Sequence, residues 1–235
     1  MGSMPRKKKE WSIAVAETQQ GIVETRAVFE PAATPIGDVT LILAHGAGSH
    51  MDHASTLGVA DALRSVGVDT LRFNLPYRAA GRGRPDPMPR LMSGFRKVIA
   101  SVREKLAPQT LLLGGRSLGG RTASMLAADG EPCDGLVLFA YPLHPPGKPD
   151  RLRDEHLDSI PVPALVLSGT RDSFCTPELM QNVMSRLSKR WTLHWLEGAD
   201  HGYHVLKRSG RTEAEVLAEA AETTRAWLER HELAS

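Results

Sequence analysis

Ser117 stands in LLLGGRSLGG, residues 111–120, with Gly115 and Gly119 completing the spacing G-x-S-x-G. A serine hydroxyl is a weak nucleophile at neutral pH until an imidazole takes its proton and a carboxylate orients that imidazole. The motif therefore acquires chemical meaning only if a histidine, an acid and a pair of amide donors reach the same point. Residues 110–113 read as a buried strand and 122–128 as part of a helix, the strand-turn-helix setting that a nucleophile elbow requires. Glycines beside the serine permit a sharp turn. A helix starting at Ser117 aims its amides and positive dipole end at a developing oxyanion. The competing reading is a glycine-rich phosphate turn, but neither G-x-x-x-x-G-K-[ST] nor G-x-G-x-x-G is present.

The acid is expected from another strand end. Asp172 follows the strand-like run 164–168, with Gly169 allowing the turn; a helix-capping or turn role is its alternative. Asp154 and Asp158 sit in a polar stretch without such placement. LEGADHGYH offers two bases after the last strand, His201 and His204. His201, immediately past the turn at 198–200 and beside Gly202, is preferred, which gives the chain order Ser, Asp, His.

One oxyanion donor is expected to be the N–H of Leu118 and the other an amide of HGAGSH, residues 45–50, after the strand-like run 40–44. Ala47 is the preferred donor and Gly48 the second choice. Gly46 and Gly48 allow a ligand to approach the backbone closely, and Tyr77 and Tyr141, at strand ends, are expected to line an acyl pocket. Arg78, Arg82, Arg84 and Arg90 form a basic stretch that is either a solvated loop or a grip on a substrate carboxylate or phosphate, with Arg82 among the expected substrate contacts.

The elements that must position these groups follow from periodicity. Nearly continuous apolar runs at 40–44, 70–75, 110–113, 136–140, 164–168 and 192–196 predict strands buried on both faces. Between them lie helical patterns at 56–66, 92–106, 117–130, 177–187 with Thr176 as cap, and 213–228. Alternation of strands and helices predicts an α/β fold with a mostly parallel twisted sheet and helices on both faces, and runs 13–16 and 26–29 predict an antiparallel edge hairpin.

The 235 residues suit one domain. MGSM reads as a tag remnant ahead of Met4, so residues 1–10 are expected to be remnant and disordered basic tail, with one domain over 11–235. A net charge of +2 demands no polyanionic partner, so no nucleic acid is expected. No apolar run suits a membrane span, and with no signal core a cytoplasmic location is the default. The 2 cysteines, Cys133 and Cys175, read as buried or half-buried free thiols. Paired histidines at 50/53 and 201/204 are weak metal signals. Trp191 and Trp195 read as core or edge packing, and His144 and His156 as loop histidines.

The motifs HGAG at 45–48, FNLPYR at 73–78, GGRSLGGR at 114–121, GTRD at 169–172 and ADHGYH at 199–204 together resemble the α/β-hydrolase superfamily. Within it the chain is similar to the small lidless KANL3/Tex30-like, dienelactone-hydrolase-like group. The resemblance implies a serine hydrolase with Ser117, Asp172 and His201 as triad and Ala47 and Leu118 as oxyanion amides. It implies a small-molecule acyl substrate and no cofactor or metal; a catalytically silent binding or scaffold module and a thioesterase or peptidase stay as alternatives. The short interval from Leu143 to Pro163 leaves no room for a large cap, so an open, shallow site is expected.

Overall fold

The computed structural model describes residues 6–19 and 21–234. The opening MGSM, with Met4, lies outside the described residues. Among the described residues eight strands form one sheet: β1 (Lys9–Thr18), β2 (Gly21–Glu30), β3 (Val39–Ala44), β4 (Asp69–Phe73), β5 (Thr110–Arg116), β6 (Gly135–Phe139), β7 (Ala164–Gly169) and β8 (Trp191–Leu196). Their order is β1-β2-β4-β3-β5-β6-β7-β8. The hairpin β1/β2 and its junction with β4 are antiparallel, and every other pairing is parallel.

Alternating side chains feed two separate cores. In β3, Ile42 and Ala44 face one cluster and Val39, Leu41 and Leu43 the other. Helices α3 (Met88–Lys105), α4 (Leu118–Ala128) and α5 (Pro177–Met184) close the first face; α1 (Ala54–Ser65) and α6 (Glu213–Arg230) close the second. Each fully buried leucine or isoleucine contributes about 2 kcal/mol. No helix among the described residues is long and apolar enough to cross a membrane.

Several element ends depart from the sequence expectation for identifiable reasons. The fourth strand stops at Phe73 because Asn74 Oδ1 accepts the Met51 amide and the Leu75 amide donates to His45 Nε2, which takes both residues out of the ladder. The sixth strand stops before Ala140, whose φ is 50°. His53 begins α1 earlier than expected by accepting the Ser55 amide on its side chain. Thr176 precedes α5 but its side chain makes no capping bond; Thr212 instead caps α6 in a reciprocal box with Glu215.

Residues 6–10, the described part of the expected basic tail, are held by the fold, while residues 1–5 lie outside the described residues. Lys9 and Glu10 already belong to β1, and Arg6 pairs with Asp38 at 2.5 Å and with buried Asp69 at 3.3 Å. Cys133 is half-buried and Cys175 buried, both as free thiols.

Candidate functional site

The chain leaves β3, makes β4 on one side, and returns to make β5 on the other. The carboxyl ends of β3 and β5 therefore flank the topological switch point, where open α/β sheets form a crevice. HGAG follows β3 and Ser117 follows β5, so sheet topology alone brings the two motifs together.

Ser117 adopts φ 48° and ψ −112°, a conformation that costs a non-glycine residue about 1–3 kcal/mol. Its amide donates to Phe139 O at 2.9 Å and its carbonyl accepts Arg121 N–H at 2.9 Å, which pins the turn from both sides. Gly119 has a different duty: a Cβ there would stand 2.3 Å from the Ala44 carbonyl oxygen. Gly169 is equally tight, its Cβ position lying 2.1 Å from Ala199 O. The first glycine lets α4 touch the exit of β3, and the second lets the end of β7 touch the turn before His201. Gly119→Ala is expected to lose about 1–3 kcal/mol of stability through overpacking and roughly 100-fold in kcat through displacement of Ser117. Urea unfolding and ester kinetics check the pair of effects.

Asp172 Oδ2 accepts from His201 Nδ1 at 2.7 Å, and His201 Nε2 lies 2.9 Å from Ser117 Oγ. The carboxylate is fully buried and its other oxygen accepts the Phe174 amide at 2.8 Å. The Phe174 ring lies 4.4 Å from the imidazole, covering one of its faces. His204 points elsewhere, its Nδ1 meeting Glu213 at 2.5 Å. Of the two candidate histidines the fold thus brings His201 to Ser117.

The amides of Ala47 and Leu118 make no hydrogen bond among the described residues. The Ala47 carbonyl accepts from Tyr77 Oη at 2.8 Å, and Arg78 Nε donates to Ser49 O at 2.9 Å, so both side chains brace the loop after β3. His45 braces it from below. Its Nδ1 donates to Gly46 O at 2.8 Å while Nε2 accepts the Leu75 amide at 3.1 Å, a pattern that requires the neutral ring. Burial pushes this imidazole down to about 4.

Between that value and the ordinary 6.5, the unfolded chain binds more protons than the folded one, so stability rises with pH across this window and is complete above it. Acidifying from 6.5 toward 4 should remove up to about 3 kcal/mol through His45. Urea titrations at several pH values should show this loss, and His45→Gln should lack that part of it.

Ser117 and His201 open on a cleft of about 850 Å³, within the range of small-molecule sites. Gly46, Ala47 and Gly48 line the cleft, and the N-terminal parts of α1 and α6 add Ala54, Glu213 and Leu217. Three expected substrate contacts are corrected. Tyr77 and Tyr141 are fully buried; the hydroxyl of the second donates to Arg153 O at 2.7 Å and is spent on structure. Arg82 is outside the cleft wall and pairs with Asp86 at 2.8 Å, a carboxylate shared with Arg90 at 3.8 Å. The stretch 78–90 is no uniform loop either, since α2 (Pro76–Ala79) takes Arg78 and α3 takes Arg90.

Motif reading overlooked Phe174, His45 and Arg116. Only their positions beside Asp172, Gly46 and Ser117 marked them. Among the described residues no cluster of three or more metal-ligating side chains forms. His144 and His156 lie in irregular segments but are not free: Pro145 O meets the first at 2.9 Å and Ser124 Oγ the second at 2.8 Å.

Residues 37–229 match the family described as an alpha/beta hydrolase domain. A lidless serine hydrolase from Xanthomonas campestris superposes with a TM-score of 0.73 at 21% identity, covering 95% of this chain and 96% of that one. A serine hydrolase homologue from Coxiella burnetii gives 0.70 at 20% identity, covering 95% and 99%. An esterase from Pyrococcus furiosus gives 0.71 at 16% identity, covering 95% and 91%.

Proposed function

The chain belongs to the alpha/beta hydrolase domain family, and from that premise we propose that it is a serine hydrolase cleaving small carboxylic esters through an acyl-enzyme. The observation that carries the reading is the unbroken relay from Asp172 Oδ2 through His201 to Ser117 Oγ, at 2.7 and 2.9 Å, at the mouth of a cleft. Ser117 Oγ attacks the acyl carbonyl while His201 Nε2 takes its proton. The amides of Ala47 and Leu118 donate to the tetrahedral oxyanion. His201 then gives the proton to the leaving alcohol, and Asp172 stabilises the imidazolium between these steps. Water, deprotonated by His201, attacks the acyl-enzyme and releases the carboxylic acid.

The esterase and serine hydrolases that it resembles support the same chemistry. Thioester and peptide bonds could be broken by these groups too. The largely apolar cleft, with Leu118, Phe174, Pro142 and Leu217 on its walls, favours a small ester.

A fluorophosphonate probe tests the reading without knowledge of the substrate. Intact mass should show one adduct on the native chain and none on Ser117→Ala. Native protein that stays unlabelled while folded would overturn the proposal and leave a binding or scaffold module on the same fold.

A further inference from the structure

Two arginines on the cleft wall have no ion-pair partner among the described residues. Arg116, one residue before Ser117, is 8% exposed and lines the cleft. Its Nη2 donates to the His201 carbonyl at 2.9 Å and its guanidinium lies 4.8 Å from the Tyr203 ring centroid. Its remaining N–H groups make no hydrogen bond among the described residues. Arg153 lines the same cleft, half-buried, with a long contact of 3.5 Å from Nη1 to the Pro142 carbonyl. No carboxylate among the described residues forms an ion pair with either.

The acidic groups nearby are already engaged. Asp172 holds His201 and the Phe174 amide, Asp200 Oδ1 accepts the amides of Gly202 and His204, and Glu213, the carboxylate on the cleft wall, is paired with His204. A buried cation without a counter-ion is costly and is retained only where something else compensates. Burial lowers the Arg116 guanidinium below its ordinary range, against the opposing influence of Tyr203, Asp172 and Asp200. Guanidinium N–H forks match carboxylates in geometry as well as charge. The arginines of the basic stretch lie outside the cleft wall, with Arg82 and Arg90 paired to Asp86 and Arg78 bonded to the Ser49 carbonyl.

We infer that the cleft selects esters that carry a carboxylate, received by Arg116 with Arg153 as second contact. This deepens the serine-hydrolase reading and rests on it for turnover, but not for binding. Arg116 is thereby a specificity-determining residue, and the apolar walls accommodate the chain that separates carboxylate from ester.

Two matched ester pairs test it with the full chain. 4-Nitrophenyl hydrogen glutarate against 4-nitrophenyl pentanoate places the charge on the acyl side; 3-acetoxybenzoate against its methyl ester places it on the alcohol side. In at least one pair, kcat/KM above the uncatalysed rate should favour the anion by about tenfold or more, the size of a charged hydrogen bond. Arg116→Gln should bring that ratio close to one, chiefly through KM, with partial rescue by Arg116→Lys. Arg153→Gln should reduce it, and this second variant, with the salt dependence of the native ratio, keeps the test open if Arg116→Gln does not fold.

Calorimetric binding of the glutarate and pentanoate esters to Ser117→Ala separates this inference from the hydrolase reading. Preferential binding of the anion, with no hydrolysis by the native chain, would sustain the inference and overturn the hydrolase reading. Equal hydrolysis and equal binding of charged and neutral partners would overturn the inference and leave the hydrolase intact.

Discussion

Replacing Ser117 by alanine should lower kcat for a 4-nitrophenyl ester by about 10⁴–10⁶-fold, because the covalent route disappears with the hydroxyl. The residual rate should come from binding and the two amides. Alanine keeps the Cβ and its strained backbone at φ 48°, so the fold should be retained at nearly native stability. Ser117→Gly provides the complementary result. It removes the hydroxyl and also the penalty of a side chain at that φ, and should raise stability by about 1 kcal/mol while being equally inactive. Loss of activity with a gain in melting temperature would mark the serine as a residue held under strain for chemistry. Unchanged turnover in either variant would place the nucleophile elsewhere.

Asp172→Asn should cost about 10⁴-fold in kcat with little change in KM, for a reason that lies in hydrogen-bond direction. One oxygen of Asp172 receives the Phe174 amide at 2.8 Å and the other receives His201 Nδ1 at 2.7 Å. An asparagine has one acceptor oxygen for two donors. If that oxygen stays with the Phe174 amide, the new NH₂ group faces Nδ1 and forces the proton to Nε2, where it points at Ser117 and blocks proton transfer. If it turns to Nδ1, the NH₂ group confronts the Phe174 N–H and a buried donor is left unsatisfied. Steady-state kinetics beside circular dichroism distinguish a chemical loss from a folding loss. A loss below tenfold would show that the carboxylate does not set the tautomer of His201.

Arg116 could not have been singled out from the sequence, because its consequence depends on what stands nearby. GGRSLGGR shows an arginine before the serine, as it shows another after the glycines. Only the fold reveals that Arg116 is buried against Tyr203 and the His201 carbonyl with no carboxylate in ion-pair contact among the described residues, although Asp172 and Asp200 lie near enough to act on its charge. The opposite holds for Arg82, whose basic context suggested anion binding until Asp86 was found to neutralise it, four residues along the chain. Tyr77 and Tyr141 were misread for a related reason. Tyr141 closely follows β6, whereas Tyr77 lies on α2, and both rings are fully buried, since a side chain's direction beyond a strand exit is decided by the segment it supports.

The sequence by itself determined the α/β layering, since nearly continuous apolar runs of strand length, alternating with amphipathic segments of helix length, fit strands covered on both faces by those helices. It also pointed to the candidate reactive groups, because a sharp turn with glycines at 115 and 119, an acid past one strand and a histidine past another are local features written in adjacent residues. Tertiary structure brought His201, already preferred in the sequence, to Ser117 and turned His204 to Glu213, tied the loop after β3 to His45 and Tyr77, gave the site a cleft of about 850 Å³ with helical walls, and left Arg116 and Arg153 without an ion-pair partner among the described residues. Those outcomes depend on distances between residues far apart in the chain. Local periodicity encodes which face of an element is buried, while the direction of a single side chain and the balance of charge around it are fixed only when the sheet brings its strand ends to one edge.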